Sequence, residues 1–281
     1  IIDIDPAINT NENHMIYGSD GVIYEVANSN KKLLGQLQFA KQEQVEIEID
    51  LSASSEITSL LGSRDLIIGA SFTNTELDQV IVKKLSKFRH GKILQSPPTL
   101  QNSEITDFDS EEEIVKLFKT QRRDTRGRSQ CYNRAHVWSW ELLKKRYKGQ
   151  RIKTGKIWVF FSRPYIRKHR FKWWFHIAPY VKLNGEVRVM DRTQTKKPLG
   201  LDDWGNEIVH HQISCKEVYK YSSYSENQNS SDCFFIKSSA FYWQPFQINN
   251  VETQNIGKSD WVEWELKKAY RNAIGWFARV P

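Results

Sequence analysis

Short apolar runs alternate with polar breaks along this chain, and the period of each run predicts its element. Val45, Ile47 and Ile49 alternate with Glu46 and Glu48, so residues 44–51 read as a half-buried strand. Strands are also expected over 21–27 and 65–72, followed by a helix over 75–88 that Thr75 could cap, which together make a small α+β unit. Pro97, Pro98 and a polar stretch up to Phe108 interrupt the pattern and mark the best boundary in the chain. Beyond it, Ser110 with Glu113 has the spacing of a capping box ahead of Ile114, Val115, Leu117 and Phe118. A second helix is expected over 129–147, with Ser129 as cap and Cys131, Ala135, Trp138 and Leu142 recurring along one face. Strands follow at 156–162, 173–183 and 186–191, the last two joined by Asn184-Gly185, a strong hairpin signal. A strand near 240–248 and a helix over 259–275 complete the reading.

Composition narrows the class. The 281 residues are 39% hydrophobic and 12% aromatic, enough for a substantial core. No apolar run approaches the roughly 20 residues of a membrane helix. The chain opens at Ile1 with no signal-like segment, so a fragment or a processed form is expected, the latter with its secretory signal already removed. Charge is divided unevenly: residues 1–95 hold 9 Lys and Arg against 13 Asp and Glu, and the remainder holds 32 against 20. An acidic segment that docks on a basic one accounts for this, as do two unrelated domains. Of three cysteines, Cys215 and Cys233 are near neighbours. Their pairing would require an oxidising compartment and would leave Cys131 as the free thiol.

Cys131 falls in the first turn of its helix, where unsatisfied backbone N–H groups and the helix dipole favour a thiolate. A base for it follows from hairpin geometry. With Asn184-Gly185 as a two-residue turn, Leu183 pairs with Glu186, His176 faces Thr193, and Ala178 faces Asp191. His176 and Asp191 then share a sheet face as diagonal neighbours, within reach of each other. A carboxylate that orients an imidazole, whose other nitrogen meets a nucleophile, is the arrangement of a catalytic triad. Pro179 complicates this strand, because a residue without an N–H implies an edge or a bulge, and a bulge would reverse the face of His176.

The run Cys131-Tyr132-Asn133-Arg134-Ala135-His136 resembles the cysteine motif of the bacterial protein glutaminases, in which a Cys-Tyr-x-Arg-Ala-His run opens a helix. His176 within Phe175-His176-Ile177-Ala178 and Asp191 within Val189-Met190-Asp191 match that family's histidine and aspartate in order and spacing. The resemblance is clear over 129–193, fainter over 241–250, and absent from 1–95. It implies an α+β fold of the transglutaminase and papain-like kind, with a cysteine-bearing helix packed on an antiparallel sheet and a smaller N-terminal α+β domain. The expected division is 1–95 as pro-segment or accessory domain, 96–109 as linker, and 110–281 as the cysteine-dependent glutaminase domain. The implied reaction is deamidation of protein-bound glutamine through a thioester on Cys131, with no cofactor and no metal. Accessible glutamines on proteins are the implied substrates, with residues 1–95 as an intramolecular inhibitor. A secreted or periplasmic bacterial setting follows, with delivery into another cell as a variant of it. Departures exist: the family's secreted members are rich in cysteine, and the basic stretch 163–172 differs from theirs, so substrate preference can differ too.

Other residues suggest competing readings. His136 lies five positions after Cys131, about 140° round the helix, so it is read as structural, as is Arg134. His210 and His211 near Cys215 match no standard zinc spacing. Arg163, Arg167, Lys168, Arg170 and Lys172 beside Trp173 and Trp174 mix cations and aromatics as nucleic-acid surfaces do. A solvated strand edge, or a rim for acidic substrates or for the acidic N-terminal segment, explains them as well, and nucleic acid is not the expected partner. A transglutaminase, in which a lysine amine replaces water at the thioester, is the alternative enzyme. A non-enzymatic basic binder is the alternative class.

Overall fold

The computed structural model describes residues 3–6, 12–18, 20–43, 47–51, 67–72, 93–94, 105–122, 130–219, 221, 226–243 and 261–274. The expected helix over 75–88 lies outside these residues. The chain divides into two units, one of residues 1–91 with 165–174, the other of 92–164 with 175–281. The division is therefore not a single cut, because a ten-residue piece of the later sequence belongs with the N-terminal segment.

In the first unit, β1 (Asp3–Asp5), β2 (His14–Tyr17) and β3 (Ile23–Val26) form an antiparallel sheet, and β4 (Ile47–Leu51) pairs with β5 (Ile67–Phe72). Helix α1 (Lys31–Glu43) was not foreseen, although Leu33, Leu34, Leu37 and Ala40 form one apolar stripe and Asn30 Oδ1 accepts the Leu33 N–H at 3.2 Å as a cap. Its leucines join Ile16, Val22, Tyr24 and Val26 in a core that Trp173 also touches. Residues 172–174 pair with this unit in strand fashion: Ile23 N–H donates to the Lys172 carbonyl at 2.7 Å, and Trp174 N–H to that of Gly21 at 3.1 Å. Arg167, read as part of a strand edge or of a rim for the acidic N-terminal segment, sits in a short helix (Arg163–His169) and pairs with buried Asp5 at 3.2 Å, as the second reading expects.

The second unit is built on a six-stranded sheet ordered β12-β11-β10-β14-β13, with β7 (Asp107–Phe108) added against β11. Here β10 is Gly155–Phe161, β11 Phe175–Leu183, β12 Glu186–Val189, β13 Cys215–Glu217 and β14 Cys233–Ser239. Every residue of β10 is buried, as its unbroken apolar run requires of a strand covered on both faces. Strand β14 replaces the strand expected at 240–248, of which 240–243 are not strand and the rest lies outside the described residues. Cys233-Phe234-Phe235-Ile236 is buried throughout, so no period-two alternation announced it.

Asn184 (φ 50) and Gly185 (φ 84) form the tight turn, and Leu183 pairs with Glu186. Asp107 accepts the Gly185 N–H at 2.9 Å, pinning this turn to β7. Pro179 causes no bulge: the register against β10 runs unbroken from Gly155↔Tyr180 to Phe160↔Phe175. The proline sits just beyond the end of β12, where its carbonyl still accepts the Met190 N–H at 2.8 Å.

Helix α2 (Glu111–Lys119) begins after Ser110, without a side-chain capping bond, and buries Ile114, Leu117 and Phe118 against Phe108 and Val181. Helix α3 (Cys131–Leu143) is shorter than expected, because 146–147 form a short strand instead. It packs on β11 and on a C-terminal helix, Glu263–Ala273. Among the described residues no helix is long and apolar enough to cross a membrane.

Cys215 and Cys233 are disulfide-bonded across paired positions of β13 and β14, with Cα atoms 4.4 Å apart. Closing a loop of this length restricts the unfolded chain, so reduction or Cys215→Ser should lower the unfolding free energy by about 2–4 kcal/mol. Urea denaturation with and without reductant measures it; identical midpoints would show that the bridge adds no stability.

Candidate active site

Three elements converge on one cluster. Gln130 is extended and Cys131 is the first residue of α3, so the thiol stands at the helix N-terminus. Asn133 Nδ2 donates to Gln130 Oε1 at 2.8 Å, and Trp243 Nε1 donates to Asn133 Oδ1 at 3.0 Å, which holds this first turn in place. His176 projects from β11, opposite Val159 of the central strand. Asp191 follows the end of β12, where the Thr195 N–H and hydroxyl both donate to its carbonyl at 2.9 Å. Gln121 holds the preceding Met190 carbonyl at 3.0 Å.

The pairing of β11 with β12 ends at Tyr180↔Val189, short of the expected Ala178↔Asp191 and His176↔Thr193 pairs, yet Asp191 beyond the strand still meets His176, whose Nε2 donates to Asp191 Oδ2 at 2.7 Å. The Cys131 side chain also hydrogen-bonds the imidazole. All three are buried, Cys131 at 2%, His176 at 4% and Asp191 at 1% exposure, and Cys131 is the free cysteine of the described residues.

Burial is the largest single influence on His176 and disfavours its charged form. The charge and hydrogen bond of Asp191, followed by those of Cys131, outweigh it and push the imidazole up to about 9. Burial likewise opposes ionisation of Asp191, yet His176, the Trp204 indole and the positive field of Arg134 hold the carboxyl below its usual value. A lasting imidazolium beside a thiol, with a carboxylate behind it, can deliver a sulfur nucleophile to a carbonyl carbon and a proton to the leaving group.

His136 lies away from this cluster. Its Nδ1 meets the Nζ of fully buried Lys156 at 2.8 Å, Lys156 also donates to the Tyr242 carbonyl, and the imidazole packs 4.8 Å from Trp261. Arg134 stays on the triad side through its field on Asp191. Cys215 is committed to its disulfide, and His211 Nδ1 bonds the Val209 carbonyl at 2.9 Å, so these residues form no metal centre; the described residues contain no other cluster of metal-binding type.

Sequence reasoning missed Trp204, on helix α4 (Leu201–Val209). Its Nε1 donates to Asp191 Oδ2 at 3.0 Å. No spacing rule links the two, because the helix reaches Asp191 only through the folded sheet.

A family model described as glutaminase matches residues 114–208, the stretch that contains Cys131, His176 and Asp191. No curated protein matches the chain. The fold is similar to the crystal structure of pro-protein-glutaminase at 15% identity and to that of a mutant of it at 16%. In each case the TM-score is 0.51, with 100% of this chain and 93% of the other covered. Residues 114–208 thus match the glutaminase family model, and the mixed α+β fold is similar to that of pro-protein-glutaminase.

Proposed function

We propose that this chain deamidates protein-bound glutamine to glutamate, with Cys131 as nucleophile, His176 as acid and base, and Asp191 as orienter. The observation that carries this reading is the imidazole held between Asp191 Oδ2 at 2.7 Å and the Cys131 side chain. The Cys131 thiolate, its proton already on His176, attacks the side-chain carboxamide carbon, and the C=O electrons move onto oxygen, where the backbone N–H of Cys131 at the helix start helps hold the oxyanion. As the tetrahedral centre collapses, the C–N bond breaks and protonated His176 gives its proton to the departing ammonia. A thioester remains. Neutral His176 then takes a proton from water as the oxygen bonds to carbon, and collapse expels the Cys131 thiolate and releases glutamate. Asp191 keeps the imidazole oriented throughout, and no step needs a metal or cofactor. The cysteine-bearing helix on the strand that carries His176 is the arrangement of transglutaminase and papain-like enzymes, which fits this chemistry.

Burial of the thiol at 2% exposure leaves a glutamine side chain no access in this form, which supports a latent enzyme. The similar structures are pro-forms by name, and residues 1–95 are read here as an inhibitory pro-segment joined by a cleavable linker over 96–109. The Cys215–Cys233 disulfide supports an oxidising, secreted or periplasmic setting.

Ammonia release from casein tests the reading, with the full chain, a chain clipped within 96–109, and clipped Cys131→Ala compared side by side. Release by the clipped wild type alone is expected, with Cys131→Ala slower by about 10⁴–10⁶-fold. Equal release by full and clipped chains would remove the latency, and silence of the clipped wild type would sink the deamidase.

The His176 shift also predicts a pH signature. A histidine raised from 6.5 to about 9 stabilises the fold fully below pH 6.5, and that contribution is lost as pH rises through about 9. The unfolding free energy of wild type minus that of His176→Asn should therefore shrink from pH 6.5 to 9, measured by urea denaturation. A constant difference would show that the imidazole is not held charged.

A further inference from the structure

Trp204 is fully buried on α4, and its indole N–H ends on the same carboxylate oxygen that receives His176. Its ring centroid lies 5.9 Å from that of the imidazole, and it stacks on Phe235 at 6.1 Å. Gly205 permits this closeness: a Cβ there would meet the Phe235 ring at 3.3 Å and Cys215 Sγ at 3.6 Å. The helix thus seats against the disulfide-bearing strands and aims one donor at Asp191.

We propose that Trp204 is a positioning residue for the reaction, fixing the plane of the Asp191 carboxylate and through it the direction in which His176 faces Cys131. A carboxylate turns about its Cβ–Cγ bond unless both oxygens are held. Thr193 N–H holds Oδ1 at 3.3 Å and Trp204 holds Oδ2 at 3.0 Å, so the lone pair offered to His176 has one direction. An indole suits the task, since it only donates and carries no charge. It cannot take the proton that His176 must keep, as a histidine or lysine there could. The other groups that act on the pair are Arg134, whose field favours the carboxylate, and Cys131 on the far side of the imidazole.

The role in turnover rests on the deamidase reading, but the geometry can be tested without it. Trp204→Phe keeps the ring and deletes the donor. In the full chain, NMR titration of His176 should give a midpoint above that of the wild type, because a carboxylate with one donor fewer leans more on the imidazolium. After the same proteolytic activation, kcat should fall about 10- to 100-fold, the range for losing a hydrogen bond to a charged group, with KM within about twofold. If Trp204 merely fills space, the melting temperature will drop while the His176 midpoint and the kcat of folded enzyme stay at wild-type values, and the proposal is overturned. Should Trp204→Phe fail to fold, the wild type still decides. Its Trp204 indole N–H resonance, assigned through its contact with the His176 ring, should move with the His176 midpoint, and an indole indifferent to that titration defeats the idea. Absence of ammonia release by activated wild type would defeat the deamidase while leaving both titrations informative.

Discussion

A carboxylate at 1% exposure constrains everything around it. An isolated charge in such a place costs several kcal/mol, and the group would protonate unless donors surrounded it. Asp191 is satisfied from three directions: His176 and Trp204 at one oxygen, and the Thr193 N–H at the other. Each donor belongs to a different part of the second unit, so the β11–β12 register, the turn after β12 and the seat of α4 must all be right together. Slipping the register by one residue would turn His176 to the opposite face and leave the charge without its cationic partner.

Burial then works in favour of the chemistry. In a low dielectric the Asp191 charge acts on the imidazole with little screening, which is how a buried histidine is held up at about 9 although desolvation alone would lower it. The same helix that brings Cys131 to this imidazole carries His136 on another face, where Lys156, itself donating to the Tyr242 carbonyl, engages it among Trp243 and Trp261. Two histidines in one fold therefore do unrelated work. Five residues of helix separate His136 from the nucleophile, and its own polar cluster keeps it there.

What could be read from the sequence was whatever local geometry decides. Asn184-Gly185 sets the turn, the turn sets the β11–β12 register, and Asp191 just past that register meets His176; the helical pattern put Cys131 at its helix start, and the resemblance then matched it. Pro179 threatened the inference and proved harmless, since it lies where β12 has already ended. The remaining features depend on tertiary contact. Strand β14 has no alternation because both its faces are covered, and α1 shows a stripe that was passed over between two strand signals. Trp204 could not be found at all by spacing, because it lies thirteen positions beyond Asp191, across turn and helix, from the oxygen it holds.

The basic run fits the one of its readings that set it against the acidic N-terminal segment, and its partner lies far away in the chain. Residues 165–174 connect β10 to β11 but belong to the first unit, where Arg167 pairs with Asp5 and the Trp174 indole donates to the Gly18 carbonyl at 2.9 Å. Phe175 opens β11, and His176 comes next. The backbone immediately before the catalytic strand is therefore held by hydrogen bonds to residues 18–23, none of which lies in the glutaminase-family stretch. If the N-terminal segment is removed, the Lys172 carbonyl, the Trp174 N–H and the Trp174 indole all lose their partners, and Arg167 loses its carboxylate. Taking that segment away would thus also change the run that leads into His176, because the two are joined through the covalent chain itself.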